Sequence, residues 1–258
     1  MHSDLTGYMD VAQVTLYAFW IFFACLIFYL RREDKREGYP LQYEDGGRRS
    51  GVGFPAYPGL KTYLLRHGHV ATLPNWKNDR RDAAVTRMAP WPGSPYVPTG
   101  NPMFDGVGPA SYADREDVPE LSMDDIPAIV PLRADTTITI EPRDPDPRGM
   151  PVIGADGRLG GTVREVWVDR AEMLIRYLEV EVAGVTGRNV LLPMTMARVR
   201  MRWGKGRVLV QSILGSQFAD APLLASPDQV TKREEDRIVG YFGGGNLYAT
   251  AARQEPLL

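Results

Sequence analysis

The chain has 258 residues, with 30 Lys and Arg against 32 Asp and Glu and a formal net charge of −2, so no basic surplus points to a nucleic-acid partner. Its one cysteine, Cys25, excludes an internal disulfide framework and a cysteine-based metal cluster. The length accommodates one domain of ordinary size plus irregular segments.

The first element is the run VAQVTLYAFWIFFACLIFYL, Val11 to Leu30, which carries no charge. At about 1.5 Å per residue, a helix of that length spans roughly 30 Å, the thickness of a bilayer's hydrocarbon core. A buried core helix is rarely apolar on every face for so long. A cleaved signal peptide needs positive charge before the run and a small-residue site after it. The leader MHSDLTGYMD has no Lys or Arg, and the run ends in RRED. Residues 11–31 therefore read as an uncleaved transmembrane helix. Arg31, Arg32, Lys35 and Arg36 follow it, and this basic excess puts the C-terminal side in the cytoplasm and residues 1–10 in the periplasm. Those four cations, with Tyr29 and Tyr39, form the predicted membrane-interface set, and Tyr8 is a further aromatic anchor.

Proline organises the next part. Seventeen of the 21 prolines fall between Pro40 and Pro151, and proline disfavours long helices there. The same stretch holds Trp76, Trp91, Phe54, Phe104 and five tyrosines, more aromatics than a disordered linker carries. Residues 32–130 are therefore expected to form an extended segment lying on a partner's surface. Within it, KTYLLRHGHVATLP reads as a short hairpin around His67-Gly68-His69.

From about Met150 the pattern alternates. TVREVWVD, IRYLEVEV, NVLLP, ARVRMRW and RVLVQSI are short strands separated by turns such as VTGR and GKG. Five or six such strands argue a small antiparallel sheet closing into a barrel, with Leu178, Val180 and Val182 on one face. Thr231 and Glu234 have capping-box spacing, so EEDRIVGYF reads as a C-terminal helix that Gly243-Gly244-Gly245 stops. The expected fold is thus one transmembrane helix plus a mainly-β domain over 131–258 with a C-terminal helix.

Catalytic patterns are missing. Gly51-Val-Gly53-Phe-Pro-Ala56 nominally fits a dinucleotide fingerprint, but no strand precedes it and Pro55 stands where a helix should begin. His67 and His69 read as solvated side chains, since His2 is the only other histidine and three ligands are the usual minimum. No serine sits in a nucleophile elbow. One constellation is left: Asp169, Arg170, Glu172 and Arg176, between two apolar strands. Its plain reading is a solvated turn. Its sharper reading is a partly buried cluster in which desolvation raises the Glu172 pKa, offset by the arginines.

LRREDKREGYPL after the span, PTGNPMFDGVGPASY, GMPV, VWVDRAEMLIRYLEVEV, LLPM and EEDRIVGYFGGGNLYA together resemble the H subunit of the purple-bacterial photosynthetic reaction centre. The resemblance implies a β-rich cytoplasmic domain of the PRC-barrel type on a single-pass chain of the intracytoplasmic photosynthetic membrane. It implies a non-enzymatic subunit that binds no pigment or metal itself and caps the L and M subunits. Those carry bacteriochlorophyll, bacteriopheophytin, two quinones, a non-haem iron and a carotenoid. Membrane lipid, a cytochrome subunit and a core light-harvesting ring are the further partners it brings in. Glu172 matches the family's glutamate near the secondary quinone, and Asp169 and Arg176 its charged neighbours. Some members place a histidine pair after a Pro-Glu-Leu run where protons enter. This chain reads PELSMDDIPAIVPL, with Glu120, Asp124 and Asp125 and no histidine; carboxylates titrate near pH 4 against about 6.5 for imidazole. Two other readings remain beside it: a membrane-tethered PRC-barrel module that recruits a soluble partner, and a single-span enzyme.

Overall fold

The structure is a computed structural model describing residues 4–6, 9–41, 43, 53–75 and 81–254. His2, Tyr8, Trp76 and the Gly51-Val52 part of the nominal fingerprint lie outside these residues, as does the His67 side chain. The chain divides into two compact units, Met1–Arg80 and Arg81–Leu258.

In the first unit, strands β1 (Asp4–Thr6) and β2 (Met9–Asp10) pair antiparallel and lead into helix α1 (Val11–Glu33). Asp10 caps α1 by accepting the Gln13 N–H at 2.7 Å, satisfying one of the helix's unpaired first-turn donors. The two polar side chains near the start are also satisfied locally: Gln13 donates to Tyr17 Oη at 3.1 Å, and Thr15 donates to the Val11 carbonyl at 2.8 Å. No residue of α1 is buried. Among the described residues it is the one helix long and apolar enough to cross a membrane. Beyond it, β3 (Lys61–Leu64) and β4 (Val70–Leu73) form the expected hairpin, joined through a 3₁₀ turn at Arg66–Gly68.

The basic residues at the end of α1 and just past it divide into two kinds. Arg31 is exposed and 3.3 Å from Asp34, and Arg32 and Tyr29 are exposed too. Lys35 is buried and donates to the Pro55 carbonyl. Arg36 pairs with Glu33 at 2.8 Å and donates to the carbonyls of Gly59 at 2.8 Å and Leu73 at 3.1 Å. These two cations tie the following segment to the foot of the helix, and Tyr39, half-buried, stacks edge-on to Tyr57.

The second unit opens with hairpin β5 (Val85–Arg87) and β6 (Tyr96–Pro98) and the one-turn helix α2 (Pro102–Asp105). Its seven-stranded sheet comprises β7 (Ile129–Pro131), β8 (Pro151–Ile153), β9 (Leu159–Asp169), β10 (Leu174–Val182), β11 (Asn189–Pro193), β12 (Ala197–Arg202) and β13 (Lys205–Val210). The order is β11-β10-β9-β8-β13-β12, with β7 also on β9. All pairs are antiparallel except β8 with β13. Long β9 runs along β10 on one side; its other side takes β8 at its start and β7 at its end. Two register shifts in the β9–β10 pair bend the ribbon, as bulges do. Residues 129 and 130 lie inside β7, so the sheet begins two residues N-terminal of the expected domain boundary at 131.

Both faces of this sheet carry buried residues: Leu178, Val180 and Leu192 lie on one and Trp167, opposite Tyr177, on the other, and Val152 and Val208 are likewise inaccessible to solvent. The Trp167 indole donates to Glu179 at 3.0 Å; the same buried carboxylate takes Arg133 at 2.7 Å and Asn189 at 2.9 Å. A buried charge persists only when so fully paired.

Helix α3 (Lys232–Tyr248) closes the core with Ile238, Tyr241 and Phe242. Its capping box is present: Thr231 accepts from the Glu234 N–H at 3.2 Å, and Glu234 accepts from the Thr231 N–H at 2.8 Å. The glycine run does not stop it, contrary to the sequence expectation, and α3 continues through all three glycines to Tyr248. The reason is close packing. A Cβ on Gly240 would stand 2.7 Å from the Ala110 carbonyl oxygen, and one on Gly245 would meet the Ser212 backbone. Glycine's helix penalty of about 1 kcal/mol per residue is offset by burial at that approach. Phe242→Ala should destabilise this unit by about 3–5 kcal/mol and Thr231→Ala by about 1 kcal/mol, measured by urea unfolding of the detergent-solubilised chain.

Candidate functional site

The β9–β10 turn gathers the charged residues the sequence singled out. Asp169 ends β9 with its side chain buried; its carboxylate accepts the N–H groups of Ala171 at 2.9 Å and Glu172 at 3.1 Å. Those bonds shape the turn, as aspartate commonly does. Arg176, on β10, lies 3.8 Å from both Asp169 and Glu172. Glu172 itself points outward, its side chain 59% exposed. Asp169, Glu172 and Arg176 therefore meet at one turn, with Asp169 inside it and Glu172 at its solvent edge, while the Arg170 side chain is directed to Pro127 and Asp135.

Arg170 fastens a second acidic element to this turn. It donates to the Pro127 carbonyl from Nε at 3.1 Å, lies 3.3 Å from Asp135, and its N–H donates to the Ala128 carbonyl at 2.8 Å. Hydrogen bonds to Thr137, with Arg170 adding to them, hold the Asp135 carboxyl below the usual range. Residues 120–128 form a small hairpin: the Ala128 N–H reaches the Glu120 carbonyl at 2.7 Å and the Ser122 N–H reaches the Ile126 carbonyl at 2.8 Å. Asp124 and Asp125 occupy its tip, exposed, with Asp125 in the left-handed region at φ 62°. Glu120 is exposed at the base.

A further carboxylate was not legible as a site residue. Glu235, on the first turns of α3, is 7% exposed and accepts a hydrogen bond from the buried Tyr177 Oη at 2.9 Å. Burial pushes its pKa up. The Tyr177 hydroxyl, then Arg176, oppose the shift; Glu120 adds to it, and Arg115 opposes it weakly. Burial likewise pushes the Tyr177 hydroxyl up, reinforced by the Glu235 charge. Both side chains line a cleft of about 670 Å³ together with Arg115, Arg176 and Asp236. Arg176 thus joins the cleft to the Asp169–Glu172 turn. The signal was present in the sequence: Glu235 precedes Ile238 by three and Phe242 by seven, which puts it on the apolar stripe of the helix.

Chemically, this end of the domain offers carboxylates in graded settings. Glu172 and Asp124 meet solvent, Asp169 is fixed by backbone donors, and Glu235 holds a proton more readily than a free carboxylate. A graded set of carboxylates of this kind can take up and release protons. Among the described residues no group of three or more His, Cys, Asp or Glu is arranged to hold a metal; His69 is exposed.

Two families match the chain. The one described as photosynthetic reaction centre, H-chain N-terminal region, matches residues 3–134, and the PRC-barrel domain matches residues 141–217.

The raised Glu235 pKa has a stability consequence of definite sign. A carboxyl whose folded pKa exceeds its unfolded value stabilises fully below the unfolded value, near 4.5, and loses that contribution as pH rises through the folded value. Glu235→Gln keeps an acceptor for Tyr177 and removes the ionisation. Its stability relative to the parent chain should therefore rise as pH is raised above about 4.5 and level off once pH has passed the folded value, read by urea midpoints; a pH-independent difference would contradict the assignment.

Proposed function

We propose, for a chain that belongs to the photosynthetic reaction centre H-chain family, that its β domain caps the cytoplasmic face of the L and M subunits and passes protons to their secondary quinone. Membership makes it a membrane-anchored structural subunit of a photosynthetic complex, associated with L and M, in which the pigments and quinones are the complex's own. The cap, the proton route and a periplasmic N-terminus belong to the proposal.

The observation that carries the reading is the Asp169–Arg176–Glu172 cluster. Full reduction of the quinone consumes two protons, and its protein pocket must exclude bulk water, so ionisable side chains have to bridge the gap. Glu172 is the outermost carboxylate of a turn in which backbone donors hold Asp169, with Arg176 3.8 Å away and the side chain open to whatever covers this end of the domain. Asp124, at the tip of the hairpin that Arg170 fastens to the turn, is the collecting group in place of a histidine. The basic excess after α1 supports the cytoplasmic placement.

The test is kinetic. In the assembled complex, Asp124→Asn combined with Glu172→Gln should slow proton-coupled transfer of the second electron by about a hundredfold or more, the lower end of what a positioned proton donor contributes. The first electron transfer should keep its rate. Flash-induced kinetics unchanged across about pH 6 to 9 would refute the route.

A further inference from the structure

The β12–β13 hairpin carries a concentrated positive face. On β12, Val199 turns inward while Arg198, Arg200 and Arg202 are exposed on the other side. The register sets Arg200 directly opposite Arg207 and Arg202 directly opposite Lys205. Like charges across a strand pair destabilise it. Five cations therefore share one face, and among the described residues none of them is ion-paired, although most of the domain's other arginines are. At the tip Trp203 is 89% exposed, in the left-handed region at φ 49°, with the Arg202 guanidinium 4.5 Å from its ring; Met201 beside it is half exposed. A large indole held in water at the end of a cationic ladder is an unfavourable arrangement for a surface that meets only solvent.

We propose that this hairpin docks on anionic lipid headgroups, with Trp203 entering the interfacial layer. Three observations select lipid as the occupant. First, the helical anchor keeps a bilayer always within reach of the domain. Second, the strand directions are decisive. β9 is antiparallel to β8, β8 is parallel to β13, and β13 is antiparallel to β12, so the Arg202–Lys205 turn is at the same end of the sheet as the Glu172 turn. In this respect the inference rests on the proposed function, which turns that end towards the membrane-embedded subunits. Third, the chemistry matches a headgroup layer. Cations gain from a negative surface potential within a Debye length, and an indole, apolar with one donor, favours the boundary between hydrocarbon and water. Headgroups also rearrange around any cation spacing, which suits a ladder of long, unpaired side chains.

The experiment is hydrogen–deuterium exchange on the complete complex in nanodiscs of phosphatidylcholine, with and without phosphatidylglycerol. Exchange across 197–210 should slow by at least about fivefold when the anionic lipid is present. High salt, and separately Arg200→Glu with Arg202→Glu, should abolish the effect; an unchanged pattern over 174–182 reports that the variant is folded. Protection of 197–210 that is equal in both lipids and resists salt would mean a protein neighbour covers the hairpin, and would overturn the proposal. No protection in either lipid would overturn it as well. The segment 169–176 separates the two levels: shielded there by the partner subunits, with 197–210 indifferent to lipid, the proton-route reading stands and the lipid inference falls. If 169–176 is open to solvent in the complex, the reading beneath it falls.

Discussion

The side chains of α1 find no cover within their own chain. Its long apolar face is nowhere buried, and burying apolar surface is worth about 25 cal/mol per Å², so water is not a tolerable environment for it. Lipid and neighbouring helices are. Every later feature follows from that constraint, because a domain fastened to such a helix is confined to the membrane surface. Just past the helix end the chain reinforces the attachment, with Lys35 and Arg36 turned back onto the carbonyls of Pro55, Gly59 and Leu73. These two cations organise the segment that follows the helix, while Arg31 and Arg32 are exposed.

The β domain answers a different demand: it must hold charged groups rigidly without neutralising them. Its core does this by satisfying the buried charge it contains. Glu179 is paired to Arg133, Trp167 and Asn189, so β9 and β10 meet at a fixed register. That register delivers Asp169 and Arg176 to one turn. Helix α3, seated on glycines against Ala110 and Ser212, brings Glu235 beneath it. Asp169, Glu172 and Glu235 then differ in environment: the first buried under backbone donors, the second exposed, the third buried against Tyr177.

Much of this was legible from the residues. The span was, because a bilayer imposes a length that few other environments do. The strands were, because period-two alternation in IRYLEVEV and its neighbours has a single structural meaning. β7 and β8 were less so: each has three residues and its partner lies elsewhere in the chain. The fate of the glycine run was misread because local propensity counts against glycine in a helix, and only the tertiary approach to Ala110 and Ser212 reverses that. Asp169, Glu172 and Arg176 were found from their crowding. Glu235 escaped because a glutamate at the head of a helix ordinarily means favourable interaction with the helix dipole, a reading that hid its place on the Ile238–Phe242 stripe.

The claim at the centre of this account is that the chain exists as the lid of a pigment-bearing membrane complex. Solubilising the membrane in mild detergent, isolating whatever stays with this chain and recording its absorption spectrum tests that claim directly. The account predicts a near-infrared-absorbing assembly with two larger, multi-span polypeptides. A colourless, monodisperse single chain would contradict it.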